Sequence, residues 1–314
     1  MKPAAIAFGP VPSRRLGHSL GVNNIPAKTC SYGCIYCQVG RTTRMAVEPE
    51  VFYDPGSVIT DVGKKLDQSR SAGIPVDFIT FVADGEPTLD IHLKQELRMI
   101  KGLGCKTAVI SNASLIWRPE VQEALWEADW VSLKVDAAAK KIWRCINRPH
   151  GKLVLEKILE GAMAFSAGFS GTLVTETMLV QGTNDDDESL KHVAAYLSEL
   201  RPETAYLSVP TRPPAEPRVH PPAETRRYQA YELFSQNLPD VAFNISYEGD
   251  DFQVTGDIAP DLLAITAVHP MREEAVFNLL KQAGAGREIL DDLVLNNRLK
   301  RIDYQGRTYY LRHI

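Results

Sequence analysis

The sequence predicts an α/β protein built on a parallel sheet, with a smaller unit at its carboxyl end. Three observations carry that expectation. Between residues 57 and 210, apolar runs of strand length alternate with longer segments of helical period. Strands that run parallel need a crossover between them, which the helical segments supply. From about residue 258 the pattern changes to two short amphipathic helices followed by a hairpin.

The elements follow in order. A weaker strand at residues 20–25 precedes a helix at 58–72. Residues 76–82 form the first clear strand and lead into the loop Asp84-Gly85-Glu86-Pro87. Leu93, Leu97 and Ile100 lie on one helical face that Gly102 and Gly104 end. A strand at 106–110, a helix at 118–128 with Pro119 in its first turn, and a strand at 130–135 come next. A helix at 155–165, a strand at 172–180, a helix at 187–200 and a strand at 205–209 complete six β/α units. Asp185, Asp186, Asp187 and Glu188 read as the start of that last helix, where acids complement the dipole. An open doubly wound sheet and a partial β/α barrel both fit six units, and periodicity does not choose. In either, loops after the strands' carboxyl ends carry the chemistry.

Residues 202–222 contain seven prolines and read as a rigid crossover. A short helix at 228–238 and a strand at 241–247 follow. Three parts are therefore expected: a core at 1–210, a Pro-rich crossover with accessory elements at 211–257, and a winged-helix-like unit at 258–314. In that unit Val276, Leu279, Leu280 and Ala283 make one helical face, and Ile289, Leu290, Leu293 and Val294 a second. From 293 to 314 there are five Lys or Arg against one acid, so the hairpin carries basic charge.

Composition bounds the function. The chain has 314 residues, 44% hydrophobic and 24% charged, with a formal charge of −4, which excludes a disordered chain. No apolar run reaches the ~18 residues of a membrane span, and Met1 to Gly9 lack the apolar stretch of a secretory leader. A cytoplasmic protein without membrane contact is expected. The near balance of 35 basic and 39 acidic residues does not mark the whole chain for nucleic acid.

Five cysteines are present, and an odd count points to a metal or reactive thiol site rather than to disulfides. Cys30, Cys34 and Cys37 form a CxxxCxxC loop after the first strand. Clustered thiolates select zinc or iron–sulfur clusters. A closed structural zinc site takes four ligands, commonly as two separated pairs; here there are three, and the spacing of His18 does not single it out as a fourth. Three ligands on a 4Fe–4S cluster leave one iron open to an exogenous ligand. Cys105 and Cys145 stand alone and read as small buried hydrophobes.

The stretch Thr29-Cys30-Ser31-Tyr32-Gly33-Cys34-Ile35-Tyr36-Cys37 resembles the signature of the radical S-adenosylmethionine (SAM) superfamily. Asp84-Gly85-Glu86-Pro87 resembles that family's GGEP motif, with Asp84 in place of the first glycine. The resemblance covers roughly residues 8–210 and implies a partial (β/α)6 TIM-like barrel. It implies that Cys30, Cys34 and Cys37 hold a 4Fe–4S cluster whose fourth iron is chelated by SAM. It further implies that the backbone of the Gly85-Glu86-Pro87 turn, with Asp84 counted among the cofactor-binding residues, receives the methionine amino group and that Tyr36 packs near the adenine. Ser111, Asn112, Lys134 and Asp136 fall where family members contact the ribose and carboxylate. A low-potential donor of the flavodoxin or ferredoxin type is the implied electron source, and a 5′-deoxyadenosyl radical that abstracts hydrogen is the implied product of SAM cleavage.

For the substrate, Asn147 and Arg148 in Asn147-Arg148-Pro149-His150, and Arg212 past the last strand, are candidates. Arg14 and Arg15 read as a solvated pair. The opening segment from Phe8 to Gly17, together with Asn147 to His150, resembles a subfamily grouped with wybutosine-forming enzymes of tRNA. Those carry further cysteines for a second cluster, and no cysteine precedes Cys30. A nucleic acid bound through the basic tail is one expectation for the partner. A peptide or protein substrate is the alternative, and a metal-sensing winged-helix regulator is the reading from outside enzymology.

Overall fold

The structure, a computed structural model, describes residues 6–247, 249, 252–254 and 257–313. Eight strands form one sheet, and its order follows the chain without a reversal. Strand β1 (Ala7–Ser13) pairs antiparallel with β2 (Gly17–Val22). Parallel strands β3 (Phe78–Phe81), β4 (Lys106–Ser111), β5 (Trp130–Lys134), β6 (Thr172–Met178), β7 (Thr204–Ser208) and β8 (Val241–Phe243) then add one by one. The helices between them are α1 (Pro55–Ser71), α2 (Leu93–Lys101), α3 (Pro119–Leu125), α4 (Lys140–Ile146), α5 (Leu155–Gly168), α6 (Asp187–Leu200) and α7 (Glu224–Ser235).

This order decides between the two architectures that the periodicity left open. Right-handed crossovers that advance in a single direction put every helix on one face of the sheet, whereas a doubly wound sheet reverses. The burial follows suit. Leu20, Ile79, Val109, Val131 and Leu207 join the inner faces of the helices in one large core. Their alternating neighbours Ala108, Trp130 and Val174 pack with Leu16 in a small separate cluster on the other face. Further along the strands that second face turns polar, with Ser19, Thr80, Ser132 and Glu176 on it. A partly polar face that none of the crossover helices covers, lined by cavities, is the geometry of a partial β/α barrel.

Several elements depart from the sequence expectation, among them helices at 140–146 and 258–268 that it did not contain. Strand β1 was not anticipated, because Pro10 and Pro12 argue against a strand; at the sheet's edge they cost no ladder bond. The strand expected at 241–247 is three residues long, and it extends the main sheet beside β7.

The carboxyl-terminal unit runs α8 (Ile258–Val268), β9 (Met271–Arg272), α9 (Glu273–Gln282), α10 (Glu288–Leu295), β10 (Leu299–Tyr304) and β11 (Arg307–Arg312). Its strands form one antiparallel sheet in the order β9-β11-β10. Its core takes in Phe8 and Val11 of β1, so it shares apolar surface with the barrel. Lys65 of α1 and Asp261 of α8, both largely buried, form an ion pair at 2.5 Å. The hydroxyls of Tyr304 and Tyr309 donate to the carbonyls of Pro210 and Thr211 at 3.1 Å. Asp186 caps α6 by accepting from Ser189 N at 2.9 Å, as the acid run suggests. Among the described residues, no helix is long and apolar enough to cross a membrane.

Candidate functional site

The cysteine loop lies past the carboxyl end of β2 and is fixed by backbone bonds from the segment after α4. Gly33 N donates to the carbonyls of Asn147 and Arg148 at 3.0 and 3.1 Å, and Ile35 N to that of Ile146 at 3.0 Å. In return His150 N donates to Ser31 O at 3.0 Å. Tyr32, under the loop, meets Trp143 edge-on at 6.1 Å and accepts from its indole N–H at 3.0 Å. Cys30, Cys34 and Cys37 thereby line one cavity of about 220 Å³.

The sulfurs sit among donors. Asn112 Nδ2 points to Cys30 Sγ and Asn147 Nδ2 to Cys34 Sγ, each at 3.4 Å. Burial, and then the neighbouring Cys34, pushes the Cys30 thiol well up. Burial and then Asp136 push Cys34 up to about 12, and burial raises Cys37. Three thiols that resist ionisation while amide N–H groups aim at two of them suit a group that supplies positive charge. Among the described residues, no three His, Cys, Asp or Glu side chains gather as ligands of a single metal ion.

The turn after β3 packs against this loop. A Cβ on Gly85 would lie 1.8 Å from Thr29 O, so only glycine permits the approach. Glu86 faces away from the turn's solvent side and is consumed structurally. Its carboxylate accepts from Thr88 Oγ1 at 2.6 Å, Ser111 Oγ at 2.7 Å and Asn112 N at 2.7 Å, tying the turn to the end of β4. Pro87 is buried in a short 3-10 turn and stands off the cavity. Asp84, where the motif resemblance has glycine, pairs with Lys28 Nζ at 2.7 Å. Lys28 also donates to Val39 O. Burial raises the Asp84 carboxyl despite Lys28, and its Oδ2 is a buried acceptor with no donor.

Tyr36 and Lys134 form another wall, with Lys134 Nζ 4.9 Å over the Tyr36 ring. Asp136 stands behind it. Its carboxylate accepts from Tyr36 Oη, from Asn147 Nδ2 at 2.7 Å and from Met178 N at 2.8 Å, so it positions both the tyrosine and the amide facing Cys34. Lys134 pairs with Glu176 at 2.9 Å, and Glu176 pairs with Arg15 at 2.8 Å. Burial opposes the Glu176 charge, but Lys134 and Arg15 outweigh it and hold the carboxyl far below its usual range.

The structure thus brings Tyr36, Asp84, Gly85, Glu86, Ser111, Asn112 and Lys134 to the cysteine cavity, and leaves Pro87 and Asp136 off it. Of the substrate candidates, Asn147 turns to Cys34, and Arg148 is exposed and pairs with Glu216 at 2.8 Å. Arg212 lies in neighbouring cavities. His18 sits at the opposite end of β2 beside Asp77. Cys105 packs against the main core, whereas Cys145 is exposed on α4, contrary to the buried role expected for it. Arg15 is no solvated arginine: its guanidinium lies 5.4 Å from the Trp130 ring and 5.6 Å from that of Tyr206, inside the barrel. Glu176 went unread in the sequence, although an acid two residues from Val174 in an apolar strand shares that residue's inward face.

A family model for the radical SAM superfamily matches residues 24–194. A UPF0026 protein of Methanocaldococcus jannaschii is 43% identical over 98% of this chain and 96% of its own length. A UPF0026 protein of Helicobacter pylori is 39% identical over 66% of this chain and 67% of its own. Among solved structures, a radical SAM methyltransferase from Sphaerobacter thermophilus aligns with a TM-score of 0.55 at 16% identity, covering 73% of this chain and 67% of that one. SuiB of Streptococcus suis, solved with S-adenosylmethionine, aligns at 0.52 and 14% identity over 73% of this chain and 51% of that one.

Proposed function

This chain belongs to the radical SAM superfamily, whose enzymes use a 4Fe–4S cluster and S-adenosylmethionine, and from that premise we propose that it cleaves SAM reductively to abstract hydrogen from a substrate held inside the barrel. One observation carries the reading: three thiols on one rigid loop share a cavity with a buried, donorless carboxylate oxygen. In this reading Cys30, Cys34 and Cys37 hold the cluster. A reduced 4Fe–4S cluster held there would supply the single electron for cleavage of the sulfonium S–C5′ bond of SAM to methionine and a 5′-deoxyadenosyl radical.

The chain's own side chains bind and orient. Asp84 Oδ2 and the Gly85 backbone receive the methionine ammonium, and Lys134 reaches the carboxylate. Ser111 and Asn112 border the ribose. Tyr36, held by Asp136, supplies a ring surface for the adenine. Asn112 and Asn147 direct N–H groups at the sulfurs, which stabilises the more negative, reduced state of the cluster.

The carboxyl-terminal order of helix, strand, two helices and two strands fits a winged helix. Its exposed Arg298, Lys300 and Arg301 fit a nucleic acid as the partner. A peptide substrate is a second reading that no charge feature here favours. A flavodoxin or ferredoxin is the electron donor that this chemistry calls for. A purely regulatory metal sensor leaves the Gly85 turn and the cavity without a role.

Anaerobic reconstitution with iron and sulfide tests the proposal. About four irons per chain, a broad visible absorption and 5′-deoxyadenosine formed from SAM with dithionite are expected. Cys34→Ala should abolish the last. Zinc as the sole metal bound, or SAM cleavage that survives Cys34→Ala, would sink the reading.

A further inference from the structure

The chain is acidic on balance, with 35 basic against 39 acidic residues, yet one stretch carries a single sign. Residues 137–155 include five Lys or Arg and no Asp or Glu. The stretch comprises α4 and the segment after it that holds the cysteine loop. Lys140, Lys141, Arg144 and Cys145 fall at i, i+1, i+4 and i+5 on one face of α4, and all four are exposed. Trp143, Ile146 and Asn147 turn the other way and are buried, Asn147 with its side-chain N–H on Cys34 Sγ. Arg148 and Lys152, also exposed, follow in the chain.

Few acids offset these charges. Among the described residues, none of Lys140, Lys141 and Arg144 forms an ion pair. Arg148, at 2.8 Å, shares the single carboxylate of Glu216 with the exposed Arg41, at 3.4 Å. Lys152 lies 3.6 Å from Glu48, which already pairs with Arg118. The stability of α4 does not account for them either. Lys140 and Lys141 occupy its first turn, where the helix dipole favours acids such as Asp187 and Glu188 in α6.

The carboxyl end of this strip is one hydrogen bond from the thiol loop, through Gly33 N to Arg148 O at 3.1 Å and Ile35 N to Ile146 O at 3.0 Å. Arg41, four residues past Cys37, meets Arg148 across Glu216 and carries the positive charge round to the loop's other end. None of the five basic residues of the stretch lines the cysteine cavity or the barrel cavity of about 250 Å³ beside it. A partner seated on the strip therefore stands against the outside of the loop, near whatever the thiols hold, without entering the barrel.

We propose that Lys140, Lys141, Arg144, Arg148 and Lys152, with Arg41, form the docking face for an acidic electron-carrier protein. One electron leaves the carrier, which is oxidised, and enters the cluster held by the cysteines, which is reduced; no bond forms or breaks in this step. The need for an electron rests on the SAM-cleaving reading, whereas the basic face stands on its own charges. Opposite charge steers a carrier to such a face and adds to its on-rate more than to lasting affinity. A weak, salt-sensitive contact suits a partner that must leave after delivering one electron. A nucleic acid is also an anion, but a base to be modified must reach the barrel, and no basic residue of the strip lines it.

The test uses the full-length, cluster-reconstituted protein without oxygen and an acidic flavodoxin as the probe, with an acidic ferredoxin run in parallel. Equilibrium binding of at least one carrier is expected, weakening about tenfold or more between about 50 and 300 mM salt. Lys140→Gln, Lys141→Gln and Arg144→Gln combined should weaken low-salt binding about tenfold or more, and slow 5′-deoxyadenosine formation driven by the reduced carrier. Formation driven by dithionite, a small anion that needs no docking face, should match the wild type. The same charge removed from the carboxyl-terminal unit, by Arg298→Gln, Lys300→Gln and Arg301→Gln, should leave carrier binding within about twofold. Wild-type binding in the α4 variant, an equal loss in both variants, or no salt-sensitive binding of either carrier overturns the docking face. Loss of transfer RNA binding in the α4 variant with carrier binding intact also overturns it, and gives the strip to a nucleic acid. Carrier binding as expected without 5′-deoxyadenosine from dithionite overturns the cleavage reading instead and leaves the docking face standing.

Discussion

At residue scale the informative position is Asp84, because it departs from the motif that the rest of the turn matches. A glycine at this place makes no demand on its surroundings, whereas a carboxylate whose side chain is fully buried demands a partner. Lys28 supplies it, two residues before the first cysteine of the loop. The pair was not legible in sequence: neither residue stands out alone, and their 56-residue separation is closed only by the fold. Lys28→Met should cost about 3–5 kcal/mol of stability near pH 8, because it strands a buried charge. Burial already raises the Asp84 carboxyl, so the stranded group takes up a proton more readily as pH falls, and the penalty should shrink toward pH 5. Adding Asp84→Gly should restore most of the loss. Urea titrations of the single and double variants at both pH values check this, and a penalty that is independent of pH or not rescued would show that the pair is inconsequential.

At element scale, the helical faces and the parallel strands could be read from period alone. Leu93, Leu97 and Ile100 are all buried as their spacing requires. The cysteine loop and the glycine turn were equally legible, since each is contiguous in sequence. What could not be read is the use of one element to hold another, as Asn147 and Arg148 hold the cysteine loop through their carbonyls. The start of α2 hides a similar device. Glu96 is buried beside Asp90, and neither of its oxygens has a hydrogen-bond donor. Burial and then the Asp90 charge push its carboxyl well up, so the folded protein holds a proton there that the unfolded chain releases. The sign follows: stability from this proton is present below the ordinary carboxyl range and is lost as pH rises toward the raised value. Glu96→Gln keeps the neutral shape without the proton. It should flatten the decline in stability between pH 5 and pH 8, as read from chemical unfolding at each pH. A variant whose slope equals the wild type's would place the titration elsewhere.

At the scale of the whole molecule, the question is whether the carboxyl-terminal unit is an appendage or part of the barrel. The sequence suggested an appendage, since a Pro-rich stretch precedes it and its charge differs. The contacts argue otherwise. Phe8 and Val11 of β1 are buried in that unit's core, Lys65 reaches Asp261, and two tyrosine hydroxyls from the hairpin end on the crossover's carbonyls. The hairpin and β9 also wall the cavity lined by Arg212, Arg227, Arg272 and Arg307, so that cavity is complete only with the unit in place. These ties were invisible in sequence because Phe8 and Val11 sit in a segment whose prolines conceal a strand. If the two parts are one cooperative body, calorimetry of the full chain should show a single unfolding transition. A chain ending at residue 257 should lose at least about 4 kcal/mol, because the side chains of Phe8 and Val11 return to water and Lys65 loses its partner. Hydrogen exchange in β1 should rise with it, while β5 and β6, deep in the main core, change least. Two separate transitions in the full chain, with the shortened chain melting at the temperature of the first, would make the unit a tethered module rather than a part of the barrel.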